Sequence, residues 1–268
     1  MAKPIGIFDS GLGGLTVARA VRETLPGENL VYLGDTARVP YGTRSARTVT
    51  RYARGCADRL MGFDIKLLVV ACNTASGVAL EALEQQLSIP VIGVIAPGAS
   101  AGVRATRSGR IGVLATPGTV ASGAYERAIH RENDAIRVFA QPAPLLVPLA
   151  EEGWVTGEVP TLAAKRYLQP LVKADVDTIV LGCTHYPLLS DTIHEVAREL
   201  LGHEVAIVDS AEATASALRS LLEAQPEEPS GSGSLRVLVT DLPAQFRIAA
   251  SRFLGAPLEG FETKAIDL

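Results

Sequence analysis

Residues 68–76 read LVVACNTAS and residues 179–187 read IVLGCTHYP. Each is an apolar, β-branched run closed by a small residue, a cysteine and two polar residues, after which a helix is expected to start. Runs apolar at successive rather than alternate positions predict strands covered on both faces, and a strand feeding straight into a helix is half of a parallel βαβ unit. The pattern recurs outward along the chain at 5–8, 30–33, 91–94, 111–114, 136–139, 205–208 and 235–239, with helix-length amphipathic segments between. The fold class is therefore α/β, with parallel sheets flanked by helices. So many strands would make a wide single sheet, and about 150 residues is a usual domain size, so two domains are the more natural packing of 268 residues. A first crossing is expected near 95–98, a second strand-and-helix series from 110 to about 203, and a return through 205–209. The stretch QPEEPSGSGS at 225–234 reads as a flexible, solvated connection between a helix and the next strand.

Composition narrows the function. With 47% apolar and 20% charged residues the chain is globular, and 25 basic against 29 acidic residues leave a formal charge of −4, no field for a phosphate backbone. Aromatic residues for stacking on bases amount to 5%, so no nucleic-acid partner is expected. Lys3, Pro4 and Asp9 bracket an apolar stretch too short for a secretory signal. The longest uncharged run, 85–103, is broken by Pro90, Gly93, Pro97, Gly98 and Gly102, so it reads as strand, turn and helix start and not as a membrane span. The expected compartment is the cytoplasm. Three cysteines, Cys56, Cys72 and Cys183, are an odd number without short spacing, which argues against disulfides or a four-cysteine zinc site.

The polar strand ends carry the chemistry. DSGLGG at 9–14 follows a strand and opens a helix near Leu15, but a dinucleotide fingerprint would need glycine where Thr16 stands, and Asp9 puts a carboxylate where a pyrophosphate would lie. The remaining alternatives are a tight turn without ligand, or a ligand site using Asp9 and Ser10. Cys72 and Cys183 each follow a strand and precede a helix, whose N-terminal partial charge favours thiolate; a buried cysteine can equally be a small core residue, as Cys56 within a helical pattern is expected to be. Cys183 and His185 could begin a metal site, but His130, His194 and His203 show no ligand spacing. A cysteine–histidine hydrolase would leave the matching Cys72 unexplained. Two equivalent acid/base groups suit stereoinversion, in which one thiolate removes a proton and the other thiol returns one from the far side. Around them Asp35, Arg38, Tyr41, Gly42, Asn73, Thr74 and Thr184 offer exposed groups at strand ends, where anions are favourably held; Asn and Thr there are also ordinary caps. Glu151 and Glu152 follow the apolar run 145–150 and read as a solvated helix end.

DSGLGG at 9–14, RVPYG at 38–42, ACNTAS at 71–76 and GCTHYPLL at 182–189, in that order over essentially the whole chain, closely resemble the glutamate racemases of the aspartate/glutamate racemase superfamily. The resemblance implies a cofactor-independent isomerase that interconverts L- and D-glutamate, the D form feeding bacterial peptidoglycan synthesis. It implies Cys72 and Cys183 as catalytic thiols, assisted by Asp9, His185 and a second-domain glutamate best matched by Glu151. Ser10, Tyr41, Gly42, Asn73, Thr74 and Thr184, with Asp9 and His185, are the implied substrate-binding set. The implied fold is two Rossmann-like domains, residues 1–95 with 208–268 and residues 96–207, holding the substrate in the cleft between them, commonly as a homodimer. Some members carry an N-terminal extension with activation by a cell-wall precursor; here the first strand starts near Pro4, so no such dependence is expected.

The residues point the same way about cofactors. The α-carbon of an amino acid is a weak acid that ordinarily calls for an electron sink such as pyridoxal phosphate held by lysine, yet none of Lys3, Lys66, Lys165, Lys173 and Lys264 lies in a polar strand-end motif. Neither cofactor nor metal is expected, and catalysis would rest on positioning and prearranged donors. Two other readings stay open: racemisation of aspartate or another acidic amino acid, and a two-lobed amino-acid binding module without chemistry.

Overall fold

A computed structural model describes residues 3–224, 232–241 and 244–268; most of the 225–234 connection lies outside the described residues. The elements in chain order are β1 (Ile5–Asp9), α1 (Leu15–Thr24), β2 (Leu30–Gly34), α2 (Ala46–Met61), β3 (Leu67–Val70), α3 (Asn73–Gln86), β4 (Val91–Gly93), α4 (Ile95–Ala105), β5 (Arg110–Ala115), α5 (Pro117–Ser122), α6 (Ala124–Glu132) and β6 (Arg137–Pro142). They continue with α7 (Leu146–Glu152), α8 (Glu158–Lys173), β7 (Thr178–Gly182), α9 (Ser190–Leu201), β8 (Ala206–Asp209), α10 (Ser210–Glu223), β9 (Leu235–Val239), α11 (Ala244–Leu254) and β10 (Glu262–Ala265). All nine runs read as strands form strands. β10 escaped that reading because ETKA is polar and largely exposed, as the outermost strand of a sheet can be.

Two sheets form, one in the order β10-β9-β2-β1-β3-β4 and one in the order β6-β5-β7-β8, and every pairing is parallel. The central strands β1, β3 and β7 are buried along their whole length, as runs covered by helices on both faces must be. Register aligns the carboxyl ends: Asp9 lies opposite Gly34, and Ala115 opposite Gly182. In each sheet the chain steps to one side of its starting strand and then to the other, β2 against β3 around β1 and β6 against β7 around β5. Such reversals open a crevice at the carboxyl ends of the two strands, the usual ligand position in open α/β sheets. Asp9 and Cys72 fall at the first crevice, Thr116 and Cys183 at the second.

The chain passes between sheets twice. After β4, α4 packs on α6 and β7 of the second sheet; after β8, which pairs with β7, α10 packs on α1 of the first. Because β8 spans Ala206–Asp209, the return takes place after Asp209, and a boundary at 207/208 runs through a strand of the second sheet. One apolar core runs continuously from Ile5 and Val17 through Ala211 and Ala215 to Ile179 and Leu181, joining the two lobes. Among the described residues no helix is long and apolar enough to cross a membrane.

Candidate active site

The glycine-rich loop after β1 is shaped by close approach. Asp9 is fully buried, and its Oδ2 accepts the Gly11 amide at 3.0 Å while Oδ1 has no hydrogen-bond partner among the described residues. A Cβ on Gly13 would lie 2.5 Å from Nδ1 of His185, and one on Gly14 would run into the Asp9 side chain. The loop thus carries the first lobe's carboxylate up to the second lobe's Thr184–His185 turn. Thr16 secures the approach, its hydroxyl donating to the Thr184 carbonyl at 3.0 Å.

Cys72 is the N-cap of α3, its Sγ accepting the Ala75 amide at 3.4 Å and donating to Ser10 Oγ at 3.5 Å. The helix terminus alone would favour thiolate, but burial and then the Asp9 carboxylate push the thiol up to about 12, so at neutral pH it is protonated. Cys183 departs from the expected helix start. Its turn continues as a 3₁₀ segment, Tyr186–Leu189, held down by Tyr186 donating to the Ala143 carbonyl at 2.8 Å, and α9 begins only at Ser190. A side chain takes the place of the helix terminus: His185 Nδ1 lies 3.8 Å from Cys183 Sγ, and its Nε2 is 2.9 Å from Glu151 Oε1. Burial alone would lower the His185 pKa, but Cys183 and Glu151 outweigh it and carry the imidazole up to about 10. Burial raises Asp9, and the nearby His185 charge opposes that shift.

Both thiols border one cavity of about 190 Å³, lined further by Ser10, Tyr41, Gly42, Asn73, Thr74, Thr184 and His185, with Val39, Pro117, Pro144, Val147 and Pro148 as apolar walls. That is small beside the roughly 300–1,000 Å³ of pockets for drug-sized ligands and suits a small molecule. A roomier cleft of about 670 Å³ between Lys3, Arg22, Phe63, Arg236 and Phe261 has neither cysteine nor histidine among its described lining residues. Of the residues singled out from sequence, Asp9 and Glu151 do not border the cavity but sit behind it, Glu151 backing His185. Glu152, its neighbour, is exposed. Tyr41 turns its hydroxyl away, donating at 2.5 Å to the buried Asp35, which Thr240 also donates to at 2.9 Å, so Asp35 is a structural acceptor and not a free ligand group.

Two polar positions carry more than their sequence suggests. Thr116 and Thr119 form with Thr74 a triangle of hydroxyls 2.9, 3.2 and 3.0 Å apart, tying the two lobes together at the cavity edge. Their peptide, TPGT, looks like a plain cap followed by proline at N1, and Thr116 Oγ1 does cap α5 by accepting the Thr119 amide at 3.3 Å; only the tertiary contact reveals the second use. Asn73 Oδ1 accepts from the buried Tyr125 hydroxyl at 2.7 Å, which orients its amide and leaves Nδ2 without a hydrogen-bond partner among the described residues.

Two parallel α/β lobes with a thiol from each at their shared cleft are the frame of a racemase, and the Asp/Glu/Hydantoin racemase family model matches residues 15–218; the chain belongs to this family. The glutamate racemase of Geobacter metallireducens is 54% identical over 258 residues, 96% of this chain and 94% of that one. Among solved structures, a glutamate racemase isoform of Bacillus anthracis superposes with a TM-score of 0.90 at 40% identity, covering 99% of this chain and 98% of that chain. The glutamate racemase of Francisella tularensis, solved with D-glutamate, also gives 0.90, at 36% identity over 98% and 97% of the two chains.

Proposed function

We propose that the protein interconverts L- and D-glutamate without a cofactor, using Cys72 and Cys183 as acid/base groups on opposite faces of the α-carbon. The observation that carries the reading is that each lobe delivers one thiol to the same small cavity. Each thiol has its own ionisable companion: Asp9 for Cys72, and His185 backed by Glu151 for Cys183. Family membership and the glutamate racemase relatives support the reaction class.

In one direction a thiolate takes the α-proton: the Cα–H bond breaks, an S–H bond forms, and the electron pair stays on the α-carbon, delocalised into the carboxylate. The opposite thiol then gives its proton to the other face, its S–H pair returning to sulfur as thiolate. The two sulfurs end with exchanged protonation, and Asp9 and His185 are the groups that reset them through proton transfer with water. Desolvation holds Cys72 as a thiol in the unliganded cavity, so it starts as the donor, with a substrate ammonium able to offset the carboxylate beside it.

Ser10, Asn73, Thr74, Thr184 and His185, with the Tyr41–Gly42 turn, bind the substrate in this reading, and Asp9 acts from behind the cavity. The unpartnered Asn73 Nδ2 and the threonine hydroxyls supply donors for carboxylate oxygens. The two units divide near residue 95 and just after Asp209, and the protein works as a cytoplasmic homodimer supplying D-glutamate for peptidoglycan. Incubation with L-glutamate in deuterium oxide tests the proposal: loss of optical rotation with deuterium at the α-carbon is expected. Binding without exchange would favour an amino-acid binding module, and faster turnover of aspartate would reassign the substrate.

A further inference from the structure

The His185–Glu151 pair belongs to the second lobe, yet two groups that hold it come from α11, which packs on α1 and lies between β9 and β10 of the first sheet. Arg252 Nη1 donates to the Glu151 carbonyl at 2.7 Å, one of the last carbonyls of α7, which have no partner within the helix. Gly153 ends that helix at φ +76°, and a Cβ there would lie 2.9 Å from Cζ of Arg252, so the glycine leaves the bay in which the guanidinium rests. Phe253, next along α11, sets its ring edge-on against His185 with centroids 5.1 Å apart at 76°. Consecutive residues of one helix thus touch the backbone of one member of the 2.9 Å pair and the ring of the other.

We propose that Arg252, seconded by Phe253, is a positioning residue that holds the Glu151 carboxylate on Nε2 of His185 from the opposite lobe, so that Nδ1 keeps facing the Cys183 sulfur. The inference rests on Cys183 being an acid/base group of the proposed reaction. A cation at a helix C-terminus is favourable in itself, and the planar guanidinium fixes direction as well as distance. The Glu151 side chain is partly solvated and its rotamer depends on where the last turn of α7 lies, so a group tying down that turn decides whether the carboxylate meets the imidazole or water. The titratable groups around His185 are Cys183 on its own turn, Glu151 from α7 and Asp9 from β1; α11 adds the aromatic ring and, beyond Glu151, the Arg252 cation.

The test compares Arg252→Met, which keeps the stem and removes donor and charge, with Arg252→Lys, which restores one donor and the charge, and with Glu152→Gln at the exposed neighbouring position as control. Arg252→Met is expected to lower kcat roughly ten- to a hundredfold with KM for glutamate little changed. It should also move the His185 imidazole titration, read by ¹⁵N NMR without turnover, to lower pH. Arg252→Lys should recover part of both effects, and Glu152→Gln should leave both at wild-type values. An imidazole titration unmoved in Arg252→Met, or equal losses in the Met and Lys variants, overturns the proposal. If Arg252→Met does not fold, Gly153→Ala, which crowds the guanidinium without deleting it, is held to the same expectations. Absence of glutamate racemisation in the wild type counts against the proposed reaction alone, because the NMR readout stands apart from turnover.

Discussion

At the scale of single residues, Cys72 and Cys183 follow matching strands, but one is flanked by a carboxylate from another strand and the other by an imidazole two residues along its own turn. The sequence echo made the thiols legible and left their chemical difference hidden, since Asp9 lies far from Cys72 along the chain. Cys72→Ala and Cys183→Ala are each expected to abolish net racemisation, with exchange of the α-proton surviving for at most one enantiomer. Full turnover by either variant, measured by circular dichroism on both glutamate enantiomers, would refute the two-thiol assignment. His185 adds a pH dependence. Its pKa is raised from 6.5 to about 10, burial opposing and Cys183 and Glu151 prevailing, so the protonated ring contributes stability that is complete below pH 6.5 and fades as pH climbs through about 10. Glu151→Gln should therefore lower the thermal midpoint at slightly acid pH and converge on the wild type above about pH 10. A calorimetric offset constant across that range would dismiss the ionic pairing.

At the scale of elements, buried central strands were readable because covering both faces demands an unbroken apolar run, whereas β10 lacked that signature at the sheet edge. The loop after β1 was readable as a turn, but its purpose was not visible: Gly13 lets the loop pass against a ring from the other lobe. Gly13→Ala places a methyl 2.5 Å from His185 Nδ1, and the backbone or the ring must move. A displacement of about 1 Å at the reacting groups costs on the order of a hundredfold in rate, so kcat should fall by about that factor while far-UV circular dichroism stays native. Wild-type turnover by Gly13→Ala would show that the close approach is incidental. Thr116 and Thr119 mark the opposite limit of legibility, because a cap and a cavity wall call for the same residue at the same place.

At the scale of the whole molecule, α4 and α10 exchange partners across the lobes and one apolar core runs through both. Neither lobe buries its inner face alone, so urea unfolding is expected as a single transition, with circular dichroism and Trp154 fluorescence sharing a midpoint. Two separated midpoints would mean that the lobes melt independently. A ligand held in the cleft should stabilise the whole unit, by about 2.7 kcal/mol at a hundredfold excess over Kd.

The amino-acid sequence by itself determined the α/β class, the strand positions and the pair of matching cysteine peptides, because these depend on local apolar periodicity and on residue types set a few positions apart. Only the tertiary structure decided that Glu151 and not Glu152 backs His185, that Tyr41 and Asp35 satisfy each other, and that Thr116, Tyr125 and Arg252 reach the site or its supports. Each of those outcomes turns on distances between groups remote in the chain, and such distances are set by how two sheets and their crossing helices pack, a property no local pattern encodes.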